Sequence, residues 1–408
     1  MPFDFDKLTD RTGTYSMKWD VGEMELPMWV ADMDFETAPV VRDAIRRKAD
    51  RGIFGYTLVP EAFGEAVASW WSRRHAFQMQ ADWMLFATGV VPAISSIIRK
   101  VTTVAENVVI QPPVYNIFYN SILNNGRTLL ENKLIYRDGE YTIDFDDLER
   151  KLADPQTTLM ILCNPHNPIG KVWNPDTLEK IGLICLKHNV LVLSDEIHCD
   201  LTHPGVQYTP FASVSEACAM NSITCVAPTK AFNLAGLQVA SVIVPNPLLR
   251  HKVNRGLNTN EVAEPNAFAM EAAIAAFNHG EEWLDALRAY IKENVDVATA
   301  YIHEKIPKLR VVPSEATYLL WIDCNNVDSR TDMLCDVIRR ESGLYLSAGS
   351  QYGENGRQFL RMNVAAPRER LLDGLDRLRM GVNRYLRVAD KHSCGVFHPA
   401  NYRPDEQE

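Results

Sequence analysis

Nowhere in the 408 residues is there a run of about 18 or more consecutive apolar residues, which excludes a membrane-spanning helix. A basic stripe is also missing. The chain has 42 basic residues against 52 acidic ones, a net charge of −10, and its longest cationic cluster is Arg46-Arg47-Lys48. That trio lies in the helical pattern Val40–Arg51 and reads as a solvated face, so no nucleic-acid partner is expected. The eight cysteines form no C-x-x-C pair, and several sit in apolar runs such as Leu159–Cys163, where a free thiol acts as a small core residue. The start, Met1-Pro2-Phe3-Asp4-Phe5-Asp6, has neither a basic nor an apolar leader, so a cytoplasmic address with reduced thiols is expected. G-x-G-x-x-G and G-x-x-x-x-G-K-[ST] are absent, which counts against nucleotide enzymes; G-x-S-x-G is absent too, which counts against serine hydrolases.

What is present is a globular composition, 46% hydrophobic, with an alternating pattern. Strands are expected at Trp83–Thr88, Asn107–Gln111, Leu159–Cys163, Val190–Ser194, Ser222–Ala227 and Val239–Val244. Helices are expected at Val91–Val101, Pro175–His188 and Asn266–Phe277. Several of the strands are apolar almost throughout, which suits a mostly parallel sheet covered on both faces and hence an α/β fold. The last third reads as α+β. Strands are expected at Lys308–Val312, Tyr318–Asp323 and Gln358–Asn363, with helices at Thr331–Glu341 and Pro367–Leu386. The expected division is a large domain over residues 50–285 and a small one built from 1–49 and 286–390. A polar tail, 391–408, follows, with fraying from Arg387.

Four local patterns carry chemistry. Lys230 follows the strand Ser222–Ala227 and a Pro-Thr turn, just ahead of an expected helix, at the strand ends where open α/β sheets bind ligands. Asp195 ends another apolar strand, where a carboxylate is costly unless a cation meets it. Asn164-Pro165-His166-Asn167-Pro168-Ile169-Gly170 is a pair of tight turns after a third strand. Thr88-Gly89-Val90-Val91 turns from strand into helix, and amides at a helix start suit phosphate. Taken singly, each also has an ordinary structural explanation: a solvated lysine, a salt bridge, a turn, a cap. A metal reading of His198-Cys199-Asp200 with His203, or of His392, Cys394 and His398, lacks the usual helical ligand spacing, so no metal is expected.

In order and spacing these patterns resemble the fold-type-I pyridoxal-phosphate enzymes, the aspartate aminotransferase superfamily, over nearly the whole chain. The resemblance implies pyridoxal 5′-phosphate as cofactor and Lys230 as the lysine that forms the Schiff base with it. It implies that Asp195 pairs with the pyridinium nitrogen. Asn167 would bond the phenolic oxygen, Tyr115 would stack on the ring, and Gly89, Val90, Val91 and Thr229 would hold the phosphate. Arg361, in Phe359-Leu360-Arg361-Met362-Asn363, would take the substrate α-carboxylate, with Asn167 beside it. His198 stands where a tyrosine often meets the cofactor, and Gln238 where an arginine often holds the phosphate. The stretches Lys18-Trp19-Asp20, Pro27–Phe35 and Gly52–Thr57 are similar to the MalY/PatB-type C–S lyases. That likeness implies a homodimer with shared active sites, Tyr56 reaching the neighbouring subunit's cofactor phosphate. With Lys230 and Tyr115, Tyr56 completes the implied catalytic set. The implied reaction is α,β-elimination of cystathionine or a related cysteine S-conjugate to pyruvate, ammonia and a thiol. Transamination of an amino acid, or a regulatory protein retaining this fold, stays open as an alternative.

Overall fold

The apolar runs between residues 84 and 243 assemble into one seven-stranded sheet in the computed structural model, which describes residues 3–393. Its strands are β1 (Met84–Ala87), β2 (Asn107–Ile110), β3 (Thr128–Glu131), β4 (Thr157–Cys163), β5 (Leu191–Asp195), β6 (Ser222–Val226) and β7 (Ala240–Ile243). They lie in the order β1-β7-β6-β5-β4-β2-β3, with β7 alone antiparallel to its neighbours. The expected mostly parallel α/β sheet is present. The edge strand β3 was not expected, since Thr128-Leu129-Leu130-Glu131 is too short and mixed to announce itself.

Alternation explains why the central strands are apolar on both sides. Leu159 and Ile161 of β4 join Val108 and Ile110 in one core, while Met160 and Leu162 join Val109 and Val192 in the other. Among the helices are α1 (Pro39–Asp50), α2 (Glu61–His75), α3 (Val90–Val101), α4 (Pro175–Lys187), α5 (Pro247–Thr259), α6 (Ala269–His279) and α7 (Glu281–Lys305). α3 and α5 cover the first face, and α4 covers the second. Helices α2, α5 and α7 go beyond the expected set. α6 starts three residues later than expected, because the Asn266 side chain accepts from the amides of Phe268 and Ala269 and holds them in a turn.

A second, antiparallel sheet holds β8 (Arg310–Val311), β9 (Leu319–Asp323), β10 (Ser347–Ala348) and β11 (Phe359–Asn363) in the order β8-β9-β11-β10. α8 (Thr331–Ser342) and α9 (Arg368–Ser393) pack on each other beside it. Leu371, Leu375, Leu378 and Val382 form the buried stripe expected of α9. α9 continues to Ser393, past the expected end at Leu386; Cys394 and His398 lie outside the described residues. The N-terminal stretch has no sheet of its own and lies against the other parts, Leu26–Pro27 pairing in parallel with Leu344–Tyr345. Phe5, Met28, Met33 and Phe35 from the same stretch share a core with Leu284, Leu360 and Leu375. No described helix is long and apolar enough to cross a membrane.

Candidate active site

Parallel strands in register bring their carboxyl ends to one line. Cys163 of β4, Asp195 of β5 and Cys225 of β6 are successive partners across the ladders, so the chain leaves the sheet three times at one edge. The three exits carry Asn167, His198 and Lys230 into a cleft of about 460 Å³, which Trp29–Ala31 and Arg361 also line. The cleft thus lies between the large sheet, the small sheet and the N-terminal segment.

Lys230 stands on a single helical turn, Pro228–Ala231, opened by a proline that needs no acceptor for its missing N–H. Asn233, at φ +55°, turns the chain into a second short helical turn, Ala235–Leu237, which leads to β7. The helix expected just after Lys230 is reduced to these two short turns, and the chain then returns to pair β7 with β6. Lys230 Nζ donates to Ala31 O at 2.6 Å. Burial lowers the amine to about 8, helped by the charge of Arg361 and opposed by Asp32 and Asp195. Asp195 shifts the other way. Burial raises it to about 7, against a bond from the Ile197 amide and the charge of Lys230. His198 is buried and pushed down to about 3 by burial and by the cations Lys230 and Arg361, so its imidazole is neutral.

Arg361 comes from the middle of β11. Its Nη2 donates to Trp29 O at 2.8 Å and its Nη1 to Asn167 Oδ1 at 3.4 Å, while the guanidinium lies 4.8 Å from the Tyr352 ring centroid. Tyr115 packs edge-on against Phe118, and burial, with the charge of Asp195, pushes its hydroxyl up to about 12. Gly89 precedes α3 at φ +154°, ψ +161°, a conformation open essentially to glycine alone. Val90 and Val91 form the first turn of α3, where amides lack intrahelical acceptors. Thr229 and Gln238 also line the cleft. Asn164, by contrast, is tied to Thr209 O and the Trp173 amide and serves the turn itself.

Of the sequence-derived candidates, only Tyr56 lies elsewhere. It is fully exposed beside Ala263–Pro265, outside its own chain's cleft. The cleft adds Met17, Asn116, Ile117, Ser347, Gln351 and Tyr352, which sequence reasoning missed because no local pattern marks them. The Trp29–Asp34 segment is held from behind by charge. Lys18, about 1% exposed, pairs with Asp34 at 3.0 Å; Arg11 meets both Asp32 and Asp34; and the Trp19 indole donates to Asp34.

The residues weighed for a metal diverge. His198 faces the cleft and His203 meets Thr317 O. Cys199 and Asp200 gather instead with His75 from α2. There Asp200 accepts from His75 Nε2 and Trp70 Nε1, both at 2.9 Å, with Arg74 and Arg288 lining the same hollow. The carboxylate is already compensated, and added positive charge would be repelled.

Residues 25–378 match the family model for aminotransferase class I and II. Cystathionine beta-lyase PatB of Bacillus subtilis is 42% identical over 386 residues, spanning 93% of this chain and all of that protein. Protein MalY of Escherichia coli is 33% identical, spanning 91% of this chain and 97% of its own length. The PLP-bound C–S lyase from Staphylococcus hominis superposes with a TM-score of 0.88 at 31% identity, covering 93% of this chain and 99% of that one.

Proposed function

The chain belongs to the aminotransferase class I and II family, and on that premise we propose how its cleft works as a pyridoxal-phosphate-dependent carbon–sulfur β-lyase. One observation carries the reading: Lys230, Asp195 and Arg361 converge on a single cleft from three separate elements. The donor set fits the cofactor. His198 Nδ1 and Arg361 Nε are buried without hydrogen-bond partners, a cost of roughly 1–3 kcal/mol each that a bound polar molecule would relieve. The buried Asp195 carboxylate likewise calls for a cation.

When bound, pyridoxal phosphate supplies a carbonyl for an amine and a ring that withdraws electrons from the substrate Cα. Asp195 would hold a positive ring nitrogen, and Tyr115 and His198 would flank the ring. Asn167 would meet its phenolic oxygen. Gly89, Val90, Val91 and Thr229 would hold the phosphate, aided by the partial positive charge at the start of α3. Arg361 takes the substrate carboxylate through paired N–H donors, which orients the Cα–H bond. Lys230, with its amine lowered toward neutrality, removes the Cα proton as base. Loss of the thiolate from Cβ, proton transfer to it, and uptake of one water give a thiol, pyruvate and ammonia. The substrate is thus cystathionine or a related cysteine S-conjugate.

We further infer a homodimer. Ile53, Phe54, Tyr56 and Leu58 leave an apolar run open to solvent, which a second copy would cover while bringing Tyr56 to its cleft. The seven described cysteines are unpaired, which supports a cytoplasmic address. We also propose a division into a large domain over 50–285 and a small one from 1–49 and 286–390, a reading supported by the separation of the chain's main strands into two sheets.

The deciding experiment supplies cystathionine without any keto acid and assays pyruvate and thiol together. Equal yields of both are expected; turnover that needs an added keto acid would favour transamination instead. The purified protein should absorb in the visible, and Lys230→Ala should remove the lysine-linked band.

A further inference from the structure

The two cations of the cleft do not meet the N-terminal segment through its side chains. They meet its backbone. Arg361 Nη2 donates to Trp29 O, and Lys230 Nζ donates to Ala31 O. Each of these carbonyls takes a second donor from the small-sheet side of the cleft: Ser347 Oγ reaches Trp29 O at 3.3 Å, and Tyr318 Oη reaches Ala31 O at 3.0 Å. Between and beyond them, Asn363 Nδ2 donates to both Val30 O and Asp32 O at 2.6 Å. The segment is therefore pinned carbonyl by carbonyl, and Tyr318 is the side chain that shares an acceptor with Lys230.

Tyr318 is fully buried at the edge of β9, next to Thr317, whose φ of +72° bends the chain there. Its ring fills core volume, but a core ring needs no hydroxyl. This hydroxyl goes to the one carbonyl that Lys230 uses. A carbonyl oxygen taking two donors is a weaker acceptor for each than for one alone, and its direction is set by both. The hydroxyl therefore does two things to Lys230. It aims the amine by holding its acceptor still, and it limits how strongly that acceptor favours the ammonium form.

We propose that Tyr318 is a positioning residue for Lys230, acting through the Ala31 carbonyl. The proposal rests on Lys230 being the base of the lyase reaction. The charged and titratable groups around that amine are Arg361 on β11, Asp32 on the N-terminal segment, Asp195 at the end of β5 and His198 in the loop after it, and Tyr318→Phe keeps all four residues.

Tyr318→Phe tests it, since the ring stays and only the hydroxyl goes. In cofactor-stripped full-length protein, competitive acetylation read at the Lys230 peptide by mass spectrometry should move its midpoint upward by about half a pH unit. In the holoenzyme kcat should fall about tenfold with KM within about twofold, the mark of a misaimed base. Ser347→Ala, which frees the carbonyl shared with Arg361, should show the opposite split, with KM raised and kcat nearly kept. An unchanged acetylation midpoint in Tyr318→Phe would overturn the proposal. So would a kcat loss matched by a loss of folded protein, or a change confined to KM. Should Tyr318→Phe fold poorly, Tyr318→Met carries the same labelling test with the same expected shift. The labelling readout does not depend on the reaction, so absence of lyase activity in the unaltered enzyme would refute the functional reading while this test still decides.

Discussion

Arg361 and Asn167 are joined across the cleft: the Arg361 guanidinium, on the small sheet, donates to the Asn167 side chain in the loop after β4. One bond thus links the small sheet to the loop after β4 within the cleft. Arg361→Lys would keep a charge but lose the planar fork, the Asn167 bond and the Trp29 carbonyl contact. Hydrogen bonds to charged groups contribute roughly 1.5–3 kcal/mol, so kcat/KM for cystathionine should drop about ten- to a hundredfold, mostly through KM. Steady-state kinetics with melting temperatures in parallel would check this.

Asp195 should make cofactor-free protein less stable as pH rises. Its folded value of about 7 lies above the ordinary carboxylate value of 3.8, because burial penalises the charge. The folded state therefore holds the proton that the unfolded chain has released, and stability from this group falls between about pH 4 and pH 7. Glu196, also raised to about 7 by burial, acts in the same direction. Asp195→Asn should accordingly raise the melting temperature of cofactor-free protein at pH 8, leave it nearly unchanged at pH 4, and abolish turnover. Calorimetry at both pH values would show it; no gain at pH 8 would count against a strained, functional carboxylate.

Gly89→Ala should loosen the cofactor. At φ +154° an alanine is strained, by about 1–3 kcal/mol. Its Cβ would also sit 3.3 Å from Pro92 Cδ, a tight contact in the first turn of α3 that Pro92 must relieve by a small shift. Cofactor dissociation, followed by loss of the visible band on dilution, should be about tenfold more favourable at this strain.

Lys18→Met should destabilise the fold by about 3 kcal/mol, since it leaves a buried carboxylate short of a partner. Burial by itself would raise Asp34; Lys18, the Trp19 indole and Arg11 together hold it below its ordinary value. A lowered carboxylate contributes stability above pH 4 that is lost as pH falls through its folded value. The variant should therefore lose less stability on acidification than the unaltered protein. Urea unfolding at pH 7 and pH 3 would measure both effects.

The legible part of the molecule was the part written in local pattern. β4, β5 and β6 were readable because burial on both faces demands unbroken apolar runs, and Asp195 and Lys230 stood out as polar residues where those runs stop. The Gly89 turn was readable because few residues tolerate its backbone. β3 was not, since none of Thr128-Leu129-Leu130-Glu131 is fully buried and the run is short and mixed. Tyr318 gave no signal either: its sequence neighbourhood is that of any core tyrosine.

Sequence alone determined six of the seven strands of the large sheet and, through Lys18–Asp20 and Pro27–Phe35, the enzyme group, because each lies within a few consecutive residues. Tertiary structure decided what the N-terminal segment does. Its carbonyls at Trp29 and Ala31 are chemically like any other carbonyls. They became part of the site only when residues some 200 to 330 positions away closed on them, an arrangement that depends on how the two sheets pack and not on any local spacing.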